Sequence, residues 1–213
     1  MTKAESKVID FIKKHILLFL LVAVTIIAIF LRVCGMDFQS DDFNSFLNSW
    51  WSIIKLNDFT GLATQVGNYN IPYQVIIYLM TLLPLNALYA YKIVSIIFDF
   101  VLAISTAMLV YSFAKNNRRL KAILTYSAVL LSATVIFNSS FWAQCDSIYT
   151  SFIILAILFL HKDKPIASFV FIGIAFAFKL QTVFIIPVLL YYWISTKKIS
   201  ILHFFIIPAV DVI

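Results

Sequence analysis

Residues Ala122–Phe141 run for 20 positions without a charged side chain, about the length that a helix needs to cross the hydrocarbon core of a bilayer. Apolar segments recur along the chain at 15–34, 71–90, 92–114, 146–160, 165–178, 180–195 and 199–213. The whole sequence is 62% hydrophobic and 12% charged, with a mean hydropathy of +0.98. A soluble domain of 213 residues could not hide that much apolar surface in one core. The pattern predicts an all-α, polytopic membrane protein in which residues 1–213 form a single transmembrane module. The first segment follows a basic head (Lys3, Lys7, Lys13, Lys14) but no small-residue cleavage pattern comes after it, and Arg32-Val33 before Cys34 is unlike a lipoprotein site. It reads as an uncleaved first span.

Several function classes drop out early. The net charge of +6 comes without a basic stripe interleaved with polar sequence, so no nucleic-acid partner is expected. His15, His161 and His203 are isolated, which argues against a zinc site. Cys34 and Cys145 form no framework and read as unpaired thiols. A bridge between them stays open, because both fall near the same membrane face.

Topology turns on whether 71–90 crosses. If it does not, only Arg32, Lys55, Lys92 and Lys179 of the 16 basic residues lie outside, and the other twelve lie inside. If it does, everything after it inverts, leaving six inside against ten outside. The positive-inside rule selects the first arrangement. This predicts seven spans in the cell membrane, a cytoplasmic N-terminus, and a long first external loop over about residues 35–91. Segment 71–90, with Pro72 and Pro84, becomes a re-entrant or interfacial element sheltered by protein or a cavity.

Within that loop Phe43, Phe46, Leu47, Trp50, Trp51 and Ile54 recur at helical spacing opposite Asn44, Ser45, Asn48, Ser49 and Ser52. The spacing predicts an interfacial helix over 43–55, either a peripheral prop or the wall of a site. Runs Ser147–Leu160 and Pro165–Phe178 are 14 residues each, short for a crossing, so flanking polar residues must complete the outer turns. Charges at that depth are costly unless they face a cavity or a partner.

One face then gathers Asp37, Asp41, Asp42, Asn68, Tyr69, Asn70, Tyr73, Lys92, Gln144, Asp146, Lys179 and Gln181. A carboxylate base with ammonium groups nearby suits deprotonation of a hydroxyl while an anionic group departs. The local alternative is that Asp42 and Asp146, each directly before a helix, are N-caps. Asp99 lies inside a span and reads as a helix-packing contact with a partner such as Lys92 or a hydroxyl, or as a group with a direct role.

The stretches SDDFNSFLNSWW, GNYNIPY, KIVSIIFDF, FWAQCDSIYTSF and AFAFKLQTVFIIP, in this order from about Asp37 to Pro187, resemble the bacterial membrane mannosyltransferase-like proteins related to GPI mannosyltransferase II. These belong to the GT-C superfamily of polyprenyl-phosphate-sugar-dependent glycosyltransferases. The resemblance implies an inverting transferase that moves a hexose, mannose or glucose, from a polyprenyl-phosphate-linked donor to a hydroxyl of a glycan or other acceptor at the outer face. It makes Asp42 the first candidate base and Asp41 the second. Asp146 and Gln144 would bind sugar or acceptor hydroxyls, Lys179 and Gln181 would reach the donor phosphate, and Asn68, Tyr69, Asn70 and Tyr73 would complete the pocket. Such enzymes usually continue for several more spans beyond the point where this sequence stops, so the expectation is a truncated chain or a minimal N-terminal module.

Two other functions stand beside this one: a lipid-linked-saccharide flippase and a non-catalytic subunit of a glycan-assembly complex. No cofactor is certain; Asp37, Asp41 and Asp42 are oxygen ligands of a kind that magnesium or manganese accepts.

Overall fold

The computed structural model describes residues 1–211. Every regular element is helical, with no strand among the described residues. Helix α1 (Lys3–Val33) starts at a capping box, in which the Thr2 side chain accepts the Glu5 N–H and the Glu5 carboxylate accepts the Thr2 N–H. Its 31 residues extend about 46 Å. The next elements are a π-helical turn (Phe43–Leu47), α2 (Asn48–Asn57), a 3-10 turn (Asp58–Ala63) and α3 (Ile71–Thr81). Helix α4 (Ala87–Phe113) begins where the Asn86 side chain accepts the Tyr89 N–H. After it come α5 (Arg118–Leu130), α6 (Ala133–Ile136) with a π-helical extension (Phe137–Phe141), α7 (Asp146–His161) and α8 (Pro165–Phe178). Two pieces entered through 3-10 turns close the described chain, α9 (Ile186–Thr196) and α10 (Ile206–Asp211).

Helices α1 and α4 are long and apolar enough to cross a membrane, and α5 with its continuation makes a third if that bent pair counts as one span. A lipid bilayer is the environment that such helices fit. The expected span 122–141 is not straight. The chain leaves the helix at Leu131-Ser132, where Ser132 takes an extended ψ of 124°, and the two parts meet at 50°. Segment 71–90 is also not one element. Helix α3 ends at Thr81, the chain turns through 82–86, and residues 87–90 form the first turn of α4. The 11 residues of α3 are far too few for a crossing. The last two residues of the expected segment 199–213 lie outside the described residues.

Helix α4 occupies the middle, packed on α5 and α7. Helix α8 lies on α7, α10 on α8, and α1 on α5. Residues 43–57 are helical, and of the six apolar residues expected on one face Phe43, Leu47, Trp51 and Ile54 are buried, Trp50 is half-buried and Phe46 is exposed. These residues pack with Tyr73, Ile77, Tyr91 and Ile148 into the largest core cluster, directly beneath the polar residues described next.

Candidate functional site

The polar side chains that the sequence directs to one face gather where the chain leaves α1, enters α4, bends before α7 and leaves α8. Two charges buried in α4 fix that end of the bundle. Lys92 and Asp99 are seven residues apart, two turns along one face, and both are fully buried. The Lys92 ammonium donates to the carbonyl oxygens of Gly35 (2.7 Å), Met36 (3.0 Å) and Phe38. It therefore ties down the segment that leads from α1 to Asp41 and Asp42. Only glycine fits at position 35, since a Cβ there would lie 2.7 Å from the Phe141 ring.

Asp99 accepts from Arg32 Nε (2.9 Å), Ser139 Oγ (2.5 Å) and Ser147 Oγ (2.5 Å). Its partners are thus hydroxyls and Arg32, not Lys92. Arg32 also donates to the carbonyls of Ala28 and Leu130. Ser139 directly follows Asn138 and Ser147 directly follows Asp146, so this buried cluster clamps both neighbours of the open pair below.

At the surface, neither acid acts as a cap. Ser40 Oγ accepts the Phe43 N–H and so caps the interfacial helix, while Asp42 makes no cap bond and accepts from Gln144 Nε2 at 2.7 Å. Gln144 Oε1 accepts from the Tyr69 hydroxyl at 2.8 Å. Asp146, in the first turn of α7, pairs one carboxylate oxygen with Lys179 and accepts from Asn138 Nδ2 (3.0 Å) on the other. The Lys179 ammonium also lies over the rings of Tyr69 (5.4 Å) and Tyr149 (5.7 Å). Burial, reinforced by the nearby Cys145, Asp146 and Asp42, pushes the Tyr69 phenol well above its ordinary range. It stays protonated and remains a donor to Gln144.

Two hollows open on this row. The larger, about 480 Å³, is lined by Asn68, Tyr69, Asn70, Lys179 and Gln181 together with apolar residues of the turn after α8. The smaller, about 130 Å³, is lined by Asp42, Gln144, Asn68 and Tyr69, with Phe46 and Trp50 from the interfacial helix. That helix is therefore the wall of a hollow and not only a prop. Tyr69 and Asn68 line both hollows, and Trp50 packs edge-on against Tyr69. Gly67, at φ +77°, brings the backbone so close to Trp50 that a Cβ would sit 2.2 Å from the indole.

Nine of the expected residues thus meet along these two hollows or in the polar row between them: Asp42, Gln144, Asn68, Tyr69, Asn70, Asp146, Lys179 and Gln181, with Tyr73 buried behind Tyr69 at a ring separation of 4.8 Å. Three others, Lys92, Asp41 and Asp37, stand apart. Lys92 is buried under the loop. Asp41 is exposed and lines neither hollow. Asp37 accepts from the Tyr89 hydroxyl, and among the described residues no three His, Cys, Asp or Glu side chains gather as a metal site. Cys34 and Cys145 are free, the first exposed and the second buried.

Asn138 was not among the expected residues, although it stands in the polar block Asn138-Ser139-Ser140 that interrupts the apolar run. Its Oδ1 is buried without a hydrogen-bond partner beside Asp146. The backbone here is also unusual. Residues 137–141 widen into a π turn, and the buried Ala143 sits at φ +58°, a left-handed conformation that costs a non-glycine residue about 1 kcal/mol or more. The π turn contains Asn138 and Ala143 directly precedes Gln144, and π turns are often found at functional sites. No protein-family profile, no curated protein and no solved structure matches this chain.

Proposed function

We propose that the chain is the module of a membrane glycosyltransferase that uses a polyprenyl-phosphate-linked hexose, with its site at the outer membrane face. In this reading the bundle has seven spans and a cytoplasmic N-terminus, and the shorter helices α7 to α10 complete their crossings with flanking polar turns. The observation that supports it best is the row Asp42–Gln144–Tyr69, which ends beside the Lys179–Asp146 pair at two adjoining hollows. It sets a carboxylate in one hollow and an ammonium group in the next, with Asn68 and Tyr69 shared between them.

The chemistry follows from those groups. Gln144 donates to one oxygen of Asp42 and so orients the carboxylate. The carboxylate takes the proton of an acceptor hydroxyl as that oxygen attacks the anomeric carbon. The bond from this carbon to the phosphate oxygen breaks, and its electron pair leaves on the polyprenyl phosphate. Lys179 has three N–H donors, of which Asp146 engages one, leaving two for the developing phosphate charge. The Asn68, Asn70 and Gln181 amides, which line the larger hollow, supply contacts for sugar hydroxyls.

The test is donor binding followed by transfer. The purified chain in detergent receives polyprenyl-phosphate-mannose or polyprenyl-phosphate-glucose, and its thermal unfolding is recorded beside that of Lys179→Ala. A ligand held only by the folded state raises apparent stability. The expected result is a shift with one donor that Lys179→Ala loses, and sugar transfer that Asp42→Asn abolishes in a folded protein. No shift with either donor, or full transfer by Asp42→Asn and by the Asp41→Asn, Asp42→Asn double variant, overturns the reading.

A further inference from the structure

A further cavity lies away from this site. It lies at the opposite end of the bundle, where the C-terminal turns of α4 and the end of α7 meet α5 and the middle of α1 at Leu21 and Thr25, and it measures about 650 Å³. That is within the range of pockets that hold small ligands. Its walls are apolar (Leu21, Ile104, Met108, Ile123), and Arg118 and Lys162 stand among them. Two further hollows adjoin it through the shared residue Tyr111. One carries Lys13, Lys14 and Arg119, the other Lys115, Arg118 and Arg119. No Asp or Glu lines any of the three. Among the described residues none of these six cations makes a salt bridge.

Two details separate this arrangement from a loose scatter of basic residues. Arg118 is held in place: its Nε donates to the Tyr111 carbonyl at 3.0 Å, and its guanidinium lies 4.8 Å from the centre of the Tyr111 ring. In addition, α5 begins with Arg118, Arg119 and Lys121, and its N-cap Asn117 makes no side-chain cap bond. Cations at a helix N-terminus oppose the helix dipole, which favours negative charge there. A bound anion resolves both the clustering and the dipole conflict.

We infer that this end of the bundle binds one anionic glycerophospholipid. Its phosphate sits among Arg118, Arg119 and Lys162, and an acyl chain lies in the apolar cavity along α1, α4 and α5. The match is one of charge and polarity together: a fixed guanidinium at the mouth of an apolar groove suits a phosphate that carries a chain. A free phosphate would leave the groove unfilled, and a zwitterionic phospholipid brings its own ammonium group and no net negative charge to balance the cations.

The experiment measures thermal unfolding of the full chain in non-ionic detergent during titration with phosphatidylglycerol, phosphatidylcholine or inorganic phosphate. The expected result is stabilisation by phosphatidylglycerol alone, with roughly 30-fold weaker apparent affinity in Arg118→Gln, Arg119→Gln, from the loss of two cations near the headgroup. A control variant, Lys55→Gln, Lys197→Gln, removes the same charge elsewhere and should titrate like the wild type. Should the first variant fail to fold, Ala122→Phe, which fills the groove without changing charge, is expected to weaken phosphatidylglycerol in the same assay. Equal stabilisation by phosphatidylcholine, an equal effect of inorganic phosphate, or equal loss in the control variant would each overturn the inference.

Discussion

The molecule contains two acid–base pairs close to one another in structure but opposite in setting. Arg32–Asp99 is closed, with side chains 1% and 0% exposed, and Asp99 is further bonded by Ser139 and Ser147. Lys179–Asp146 is open, at 18% and 38%, and its lysine lines a hollow. A closed pair contributes to stability to the extent that its groups are satisfied, because each charge has lost its water; Asp99 has three donors, whereas Arg32 Nη2 has no partner among the described residues. An open pair contributes little to stability, and its groups can be shared with a ligand. The closed pair holds Ser139 and Ser147, the sequence neighbours of Asn138 and Asp146, so the rigid cluster sets the geometry of the exchangeable one.

The largest effect should follow from breaking the closed pair. Arg32→Met alone or Asp99→Leu alone is expected to cost about 3–5 kcal/mol, because the partner is left charged and buried. Combining them should recover most of that loss. Unfolding of all three variants in detergent gives the coupling energy directly, and losses that simply add would remove the distinction between the two pairs. Lys92→Met comes next, at roughly 2–3 kcal/mol, since it takes the ammonium from the carbonyl oxygens of Gly35, Met36 and Phe38, of which Gly35 O keeps the Phe38 N–H.

An intermediate effect sharpens the link between the pairs. Ser147→Ala removes one hydrogen bond to a buried carboxylate and should cost about 1.5–3 kcal/mol. If the closed cluster positions Asp146, the same variant should also weaken donor binding, although Ser147 lines neither hollow. Lys179→Ala is the inverse case. It should change stability by less than about 1 kcal/mol while removing the donor-induced shift in unfolding temperature. A Lys179 variant as damaging to the fold as Arg32→Met would make both pairs structural.

The contrast also explains what could be read in the sequence. The helical class, the buried face of residues 43–54 and the meeting of Asp42, Gln144, Tyr69, Asp146 and Lys179 were legible, because periodicity and polar residues beside apolar runs place them at one end. The closed pair was not. Arg32 reads as a flank of the first span and Asp99 as an isolated acid, and their contact joins positions 67 residues apart that share no periodic signal. The seat of Lys92 was hidden for the same reason, since its partners are backbone carbonyls that carry no residue identity. The π turns and the left-handed Ala143 are set by tertiary packing, and neither follows from local propensity.

The smallest effect uses the two cysteines as reporters, one near each pair. Cys34 is exposed two residues after Arg32, and Cys145 is buried immediately before Asp146. Burial pushes the Cys145 thiol up to about 11, partly offset by the nearby Lys179 ammonium, so at pH 8 only about one molecule in a thousand carries the reactive thiolate there. A maleimide should therefore label Cys34 quickly and Cys145 slowly, as peptide mass spectrometry can resolve. The raised value also fixes the sign of a small stability term. The folded state holds the thiol proton more tightly than the unfolded chain, so this contribution is full below about pH 9 and is lost as pH rises toward 11. In Lys179→Ala the offsetting charge is gone, which should slow Cys145 labelling further if the thiol stays buried. Faster labelling would mean instead that the Lys179 side chain itself shields Cys145, and the open pair would then control access to the thiol as well as contact a ligand.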